Sequence, residues 1–338
     1  MPGELQREVE SVVEQTKARS RWPARRTLGA LGVSATSYYR WRRAAASLRA
    51  VEGLSSSPPR PHPKGTRLCE ALPEERRAVR AYALAHPEVR HRELAWRMVD
   101  EDVTCLSPST VYRILREEKL VCPWRRRTKR SREAEEKAQR PNERWATDLL
   151  HLRIGERWCY LVSFLDEYSR YIVHYELLTS MDGNSVSLAA QRAVETLPRD
   201  ASGRLIERPE IRTDNGSGYV SREFREVLAE HELAHQRIKP HCPEENGLME
   251  RAYRTLREAL DGQELSDRPQ AEPVLKQVIG WYNHERLHRA LGYLRPVDYY
   301  RGDPAALTEL RRAKLATARH QRKEANLRLR QRTMPLQA

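Results

Sequence analysis

The chain has no run of apolar residues long enough to cross a membrane, which takes about 20 of them, and its mean hydropathy is −0.79. The first stretch, Met1 to Lys17, is charged and lacks the apolar core of a secretory signal. Cysteine is sparse: Cys69, Cys105, Cys122, Cys159 and Cys242 are odd in number and scattered, with no Cys-x-x-Cys pair and no Cys/His cluster at zinc spacing. These absences argue against a membrane protein, a secreted disulfide scaffold and a zinc finger. They leave a cytosolic protein with reduced thiols.

Charge is what the chain has in quantity. The net is +14, and it is segregated. Residues 1–140 carry 30 Lys/Arg against 18 Asp/Glu (+12), residues 141–310 carry 22 against 28 (−6), and residues 311–338 carry 9 against 1 (+8). Two basic arms flank an acidic centre. Clustered cations release counterions from a phosphate backbone, so this distribution favours nucleic acid as partner.

Organisation follows from punctuation and periodicity. Residues 24–43 read as two short helices around Gly32, with Ser34 as N-cap and hydroxyl, aromatic and cationic side chains (Ser37 to Trp41) on the second, which is helix-turn-helix grammar. Residues 55–67 hold four prolines and three serines and read as a linker. Helices are expected from Pro73 to about His86, from Arg92 to Glu101, and from Ser107, the N-cap, to about Lys119. Residues 124–140 read as a basic linker. Strands are expected at 145–154, 158–166, 171–178, 210–213 and 234–238, and helices at 184–197, 222–230, 244–260 and 273–288. Three strands in a meander followed by alternating helices and strands is the order of a ribonuclease H-like α/β fold. The implied domains are 1–54 (helix-turn-helix-like), 55–67 (linker), 68–122 (a second helix-turn-helix-like unit), 123–140 (basic linker), 141–300 (catalytic core) and 301–338 (basic tail).

Three acids stand out within the acidic centre. Asp148 lies inside the first expected strand, Asp214 ends the fourth, and Glu250 opens the helix that follows, 35 residues beyond Asp214 (250 − 214 − 1). Since 47 of 338 residues are acidic, the gap alone decides nothing. The surroundings carry more weight. Asn215-Gly216 after Asp214 suits a tight turn. Asn246, Glu250, Arg254 and Arg257 share one helical face, so a metal-binding acid would stand in a row with an amide and two cations suited to a DNA backbone. Hard carboxylate oxygens from three elements are what a two-metal phosphoryl-transfer site uses.

Six stretches, in order, then resemble a known family: Arg26 to Ser34 with Tyr38-Tyr39; Trp145-Ala146-Thr147-Asp148; Phe164 to Arg170; Thr213 to Gly218; Glu245 to Arg251; and Tyr282 to Tyr293 with Pro296. The chain resembles a bacterial insertion-sequence transposase with a retroviral-integrase-type catalytic core, and more narrowly the second reading-frame product of the insertion sequence 3 family. The resemblance implies an integrase core with a five-stranded mixed sheet, preceded by all-α DNA-binding units. It implies Asp148, Asp214 and Glu250 as the catalytic, metal-binding triad, with two Mg²⁺ (or Mn²⁺) ions. The implied activity is DNA 3′-end cleavage and strand transfer. The implied partners are terminal inverted repeats, target DNA, further copies of the chain and the upstream reading-frame product, met in the cytoplasm at the nucleoid.

DNA contacts are expected from Asn246, Arg254 and Arg257 and from Arg125, Arg126, Arg127, Lys129 and Arg130, with the Arg311–Arg332 tail adding affinity. His284 and His288, four apart, lack a third zinc ligand and read as part of a helix packing on the core. Asp166 reads as a core-capping acid outside the triad. Two other readings are a non-catalytic DNA-binding regulator and a ribonuclease H-like nuclease.

Overall fold

The computed structural model describes residues 3–20, 23–39, 41–42, 68–121, 137–239 and 246–333. The linker 55–67, most of the basic linker and residues 240–245 lie outside them. The chain divides into two units, Met1–Thr66 and Arg67–Ala338. Among the described residues no helix is long and apolar enough to cross a membrane.

In the first unit, α1 (Gly3–Ser20) and α2 (Ala24–Ala30) are followed by a helical turn over 35–39. Gly32 takes φ +66°, a conformation open to glycine at little cost, and reverses the chain between the two shorter helices. Val13, Leu28 and Tyr38 form the small core. The sequence reading assigned no element to α1, which is mostly polar.

The second unit opens with α3 (Pro73–Ala85), α4 (His91–Asp100) and α5 (Pro108–Glu117). Ser107 Oγ accepts from the Thr110 N–H at 3.3 Å and so caps α5 as expected. Val79, Leu94, Met98, Val111, Ile114 and Leu115 join the three helices.

A five-stranded sheet follows: β1 (Arg144–Ile154), β2 (Arg157–Asp166), β3 (Ile172–Leu178), β4 (Glu210–Thr213) and β5 (His235–Arg237), in the order β3-β2-β1-β4-β5. The first three are antiparallel; β4 and β5 run parallel to β1. Alternation along β1 sends Trp145 and Thr147 to one face and Ala146, Asp148 and Leu150 to the other. The first face is covered by α6 (Gly183–Glu195) and α8 (Arg222–Glu230), packed through Val186, Ala190, Val194, Phe224 and Leu228; the short α7 (Ser217–Val220) adds Tyr219. The second is covered by α9 (Gly247–Leu260) and α10 (Arg268–His284), through Met249, Tyr253, Leu256, Leu275 and Ile279.

Two expectations shift. The helix read as 273–288 spans Arg268–His284 instead. The Asp267 side chain accepts the Gln270 N–H at 2.9 Å and starts the helix five residues earlier, leaving Pro273 inside it. The region read as a basic tail is a 30-residue helix, α12 (Pro304–Thr333), after a short α11 (Pro296–Tyr300). No glycine or proline interrupts residues 305–333, which are rich in Ala, Leu, Arg, Lys and Gln, all good helix formers.

α12 reaches back to α3, α4 and the residues flanking them. Arg311 makes a two-point pair with Asp100 at 2.6 and 2.8 Å and lies over the Trp96 ring. Lys314 pairs with Asp102, Arg322 with Glu75 at 2.7 Å, and Asn326 donates to the Leu68 and Glu70 carbonyls at 3.0 Å. These cations are committed to carboxylates rather than standing free for phosphate.

Candidate active site

The register of the parallel pair builds the site. Trp145 pairs with Ile211 and Ala146 with Arg212; two steps further along the same offset, Asp148 is level with Asp214, just past the end of β4. Both carboxylates are half-buried. α9 runs beside β1, its apolar residues Met249, Ala252, Tyr253, Leu256 and Leu260 facing the sheet at helical spacing. Glu250 is exposed on the flank of that helix and makes no hydrogen bond or ion pair among the described residues.

Each strand-borne acid is held. Asp148 Oδ1 accepts the Leu149 N–H at 2.8 Å and its Oδ2 accepts Asn246 Nδ2–H at 3.0 Å. Asp214 Oδ1 accepts the Gly216 N–H at 2.8 Å. A Cβ at position 216 would stand 3.0 Å from that same oxygen, so a side chain there would push the carboxylate aside. Burial, then the charges of Asp214 and Glu250, push the Asp148 carboxyl up to about 6, against the opposing pull of its two hydrogen bonds.

Asp148 therefore feels the other two acids as like charges. No three His, Cys, Asp or Glu side chains among the described residues close into a metal-holding cluster. The donor set nonetheless fits a hard divalent cation: carboxylate oxygens only, from three elements, with a mutual repulsion that positive charge would relieve.

The expected DNA-contacting row separates. Arg254 and Arg257 are exposed beside Glu250, whereas Asn246 is buried with its amide on Asp148. Arg125, Arg126, Arg127, Lys129 and Arg130 lie outside the described residues. His284 and His288 are not brought together as ligands: the first sets its ring edge on Tyr171, the second is buried against Tyr282. Burial, with Arg286 and Arg170 nearby, drives His288 down to about 3 and keeps it neutral.

Asp166 is fully buried and accepts the Asn142 N–H at 2.8 Å, the Ser169 N–H at 2.7 Å and the Ser169 hydroxyl. Asn283 completes the edge of the sheet: its Oδ1 accepts the Ile172 N–H and its Nδ2 donates to the Ile172 carbonyl, both at 2.9 Å.

The same stretch of chain matches two family models, each described as "Integrase core domain", over the overlapping ranges 138–243 and 231–296. Over this stretch the chain is similar to integrase cores. Its similarity extends to insertion-sequence transposases, as the six motifs implied. The chain is 28% identical over 167 residues to the transposase for insertion sequence element IS904 of Lactococcus lactis, covering 48% of this chain and 63% of that protein. It is 27% identical over 164 residues to transposase InsF for insertion sequence IS3A of Escherichia coli, covering 48% and 55%. The match thus spans less than two thirds of either relative. Among solved structures, the HTLV-2 integrase catalytic core domain in complex with magnesium aligns at 19% identity and a TM-score of 0.38, over 48% of this chain and 98% of that one.

Around Asp148 the fold also brings together residues that the sequence pattern did not single out. Tyr219, Tyr253 and Thr147 sit directly behind Asp148. Helical periodicity carried a usable signal for one of them: Tyr253 lies three residues after Glu250 on the inward face of α9, where a hydroxyl needs a partner. Nothing local marked Tyr219, whose partner is 72 residues away.

Proposed function

We propose that this protein is a DNA transposase in which Asp148, Asp214 and Glu250 hold divalent cations, two per site, for 3′-end cleavage and strand transfer. One observation supports the reading: the parallel register of β1 and β4 sets Asp148 level with Asp214, and α9, which carries Glu250, packs beside β1. Bound Mg²⁺ or Mn²⁺ supplies Lewis-acid chemistry, activating a water or a 3′-hydroxyl and stabilising the departing oxygen. The chain's own residues prepare the ground. Asn246 and the Leu149 N–H fix the Asp148 carboxylate, and the Gly216 N–H fixes Asp214. Arg254 and Arg257 offer cations to the DNA backbone next to Glu250, joined by the Arg125–Arg130 run.

The partners in this reading are terminal inverted repeats and target DNA, bound by a homo-oligomer that works with the upstream-frame product at the nucleoid. The test is Mg²⁺- or Mn²⁺-dependent joining of a terminal-repeat oligonucleotide to a target duplex. Asp214→Asn and Glu250→Gln are expected to abolish joining; full activity in either variant overturns the triad.

A further inference from the structure

Three carboxylates carried on three separate elements need a common reference, because like charges drive them apart. The hydrogen bonds around β1 supply one. Tyr219 on α7, five residues beyond Asp214, is 1% exposed, and its hydroxyl meets Thr147 Oγ1 at 3.0 Å. Tyr253 on α9, three residues beyond Glu250, is 6% exposed; its hydroxyl donates to the Asp148 main-chain carbonyl, with the Leu161 carbonyl at 3.4 Å. The segment after each of the other two acids is therefore bonded to β1 at Thr147 or Asp148, one from each face of the sheet.

Packing alone does not account for these phenols. Both rings fill apolar clusters, Tyr219 with Phe224 on one face and Tyr253 with Leu256 on the other, and phenylalanine would fill the same space. A buried hydroxyl costs stability unless it is bonded. Here one hydroxyl ends on Thr147 and the other on the Asp148 carbonyl, neighbouring positions of β1.

We propose that Tyr219 and Tyr253 are positioning residues that set the distances of Asp214 and Glu250 from Asp148, and thereby the affinity of the triad for its divalent cation. This rests on the reading of the triad as a metal site.

The experiment is calorimetric titration of Mn²⁺ into the full chain without DNA, alongside thermal melting without metal, for wild type, Tyr219→Phe, Tyr253→Phe and Thr147→Val. Each variant is expected to melt cooperatively and to bind Mn²⁺ roughly 10- to 100-fold more weakly, the range typical when a partner behind a metal ligand is removed. Thr147→Val, which deletes the other half of the Tyr219 bond, is expected to match Tyr219→Phe and to add nothing to it in the double variant. Joining should fall at limiting Mn²⁺ and recover at saturation. Unchanged Mn²⁺ affinity in folded Tyr253→Phe and Thr147→Val overturns the proposal even if Tyr219→Phe fails to fold. A wild-type chain that binds no Mn²⁺ and joins no DNA overturns the triad reading as well, which separates the two failures.

Discussion

Asp148 and Asp166 stand three rungs apart on the same antiparallel ladder, Asp166 opposite Trp145 and Asp148 opposite Ser163. Burial raises the proton affinity of both above that of a free aspartate. Their neighbours differ. Asp166 is ringed by donors from Asn142 and Ser169, with the Arg170 charge close by, so its ionised form is answered from within the chain. Asp148 has two donors, and then two further carboxylates that make its charge harder to bear. A carboxylate whose charge is satisfied by its own fold is part of that fold. One set among like charges is left wanting a cation from outside.

The sharpest way to break this contrast is to neutralise each acid in turn. Asp148→Asn is expected to lower joining by at least about 10³-fold, since several kcal/mol of transition-state stabilisation are lost with a metal ligand. The same change should leave the chain slightly more stable, by on the order of 1 kcal/mol, because the repulsion from Asp214 and Glu250 disappears. Urea unfolding beside the joining assay measures both, and a clear loss of stability would remove Asp148 from the class of strained functional acids.

Asp166→Ala should do the reverse. It leaves the buried N–H groups of Asn142 and Ser169 without their acceptor and should cost about 2–6 kcal/mol of stability, at 1–3 kcal/mol for each orphaned group. Equilibrium unfolding reads this directly. A cost under about 1 kcal/mol would show that water answers those donors equally well.

The smallest effect is on titration. Asp148 moves from 3.8 to about 6 on folding. The folded chain therefore holds this proton to higher pH than the unfolded one. The stabilisation is complete below about pH 4 and is lost as pH rises through 6, at no more than about 1.4 kcal/mol per pH unit. Carbon-detected NMR should place the Asp148 carboxyl near 6 in the metal-free chain. Asp214→Asn should lower that value more than Glu250→Gln, since Asp214 contributes more of the shift. A wild-type value near 4, or the opposite order, would contradict the geometry.

How much of this could be read from the sequence depends on how local the cause is. β4 and α8 have the limits expected of them, Glu210–Thr213 and Arg222–Glu230, because short apolar runs, a Ser cap and turn residues bound them closely. The order of elements likewise led to the five-stranded sheet. α1 and α12 went unread because neither carries a strong apolar stripe; α12 is held mainly by ion pairs to residues more than 200 positions away. The inner parts of the site were hidden for the same reason. Asn246 is 98 residues from Asp148, Tyr253 is 105, and Asn283 is 111 from Ile172. Spacing along a helix marked Asn246 as a neighbour of Glu250, yet only the fold turns its amide toward Asp148.

The long reach of α12 has a consequence in time. Asp100 and Leu68 are synthesised 211 and 258 residues before the Arg311 and Asn326 that bind them. At about 5–20 residues per second, a ribosome takes tens of seconds to cover that distance. The helices α3 to α5 therefore emerge and pack long before their strap exists. For that interval Asp100 and Asp102 stand without the Arg311 and Lys314 that later pair with them, and the joint closes only when the last helix is made.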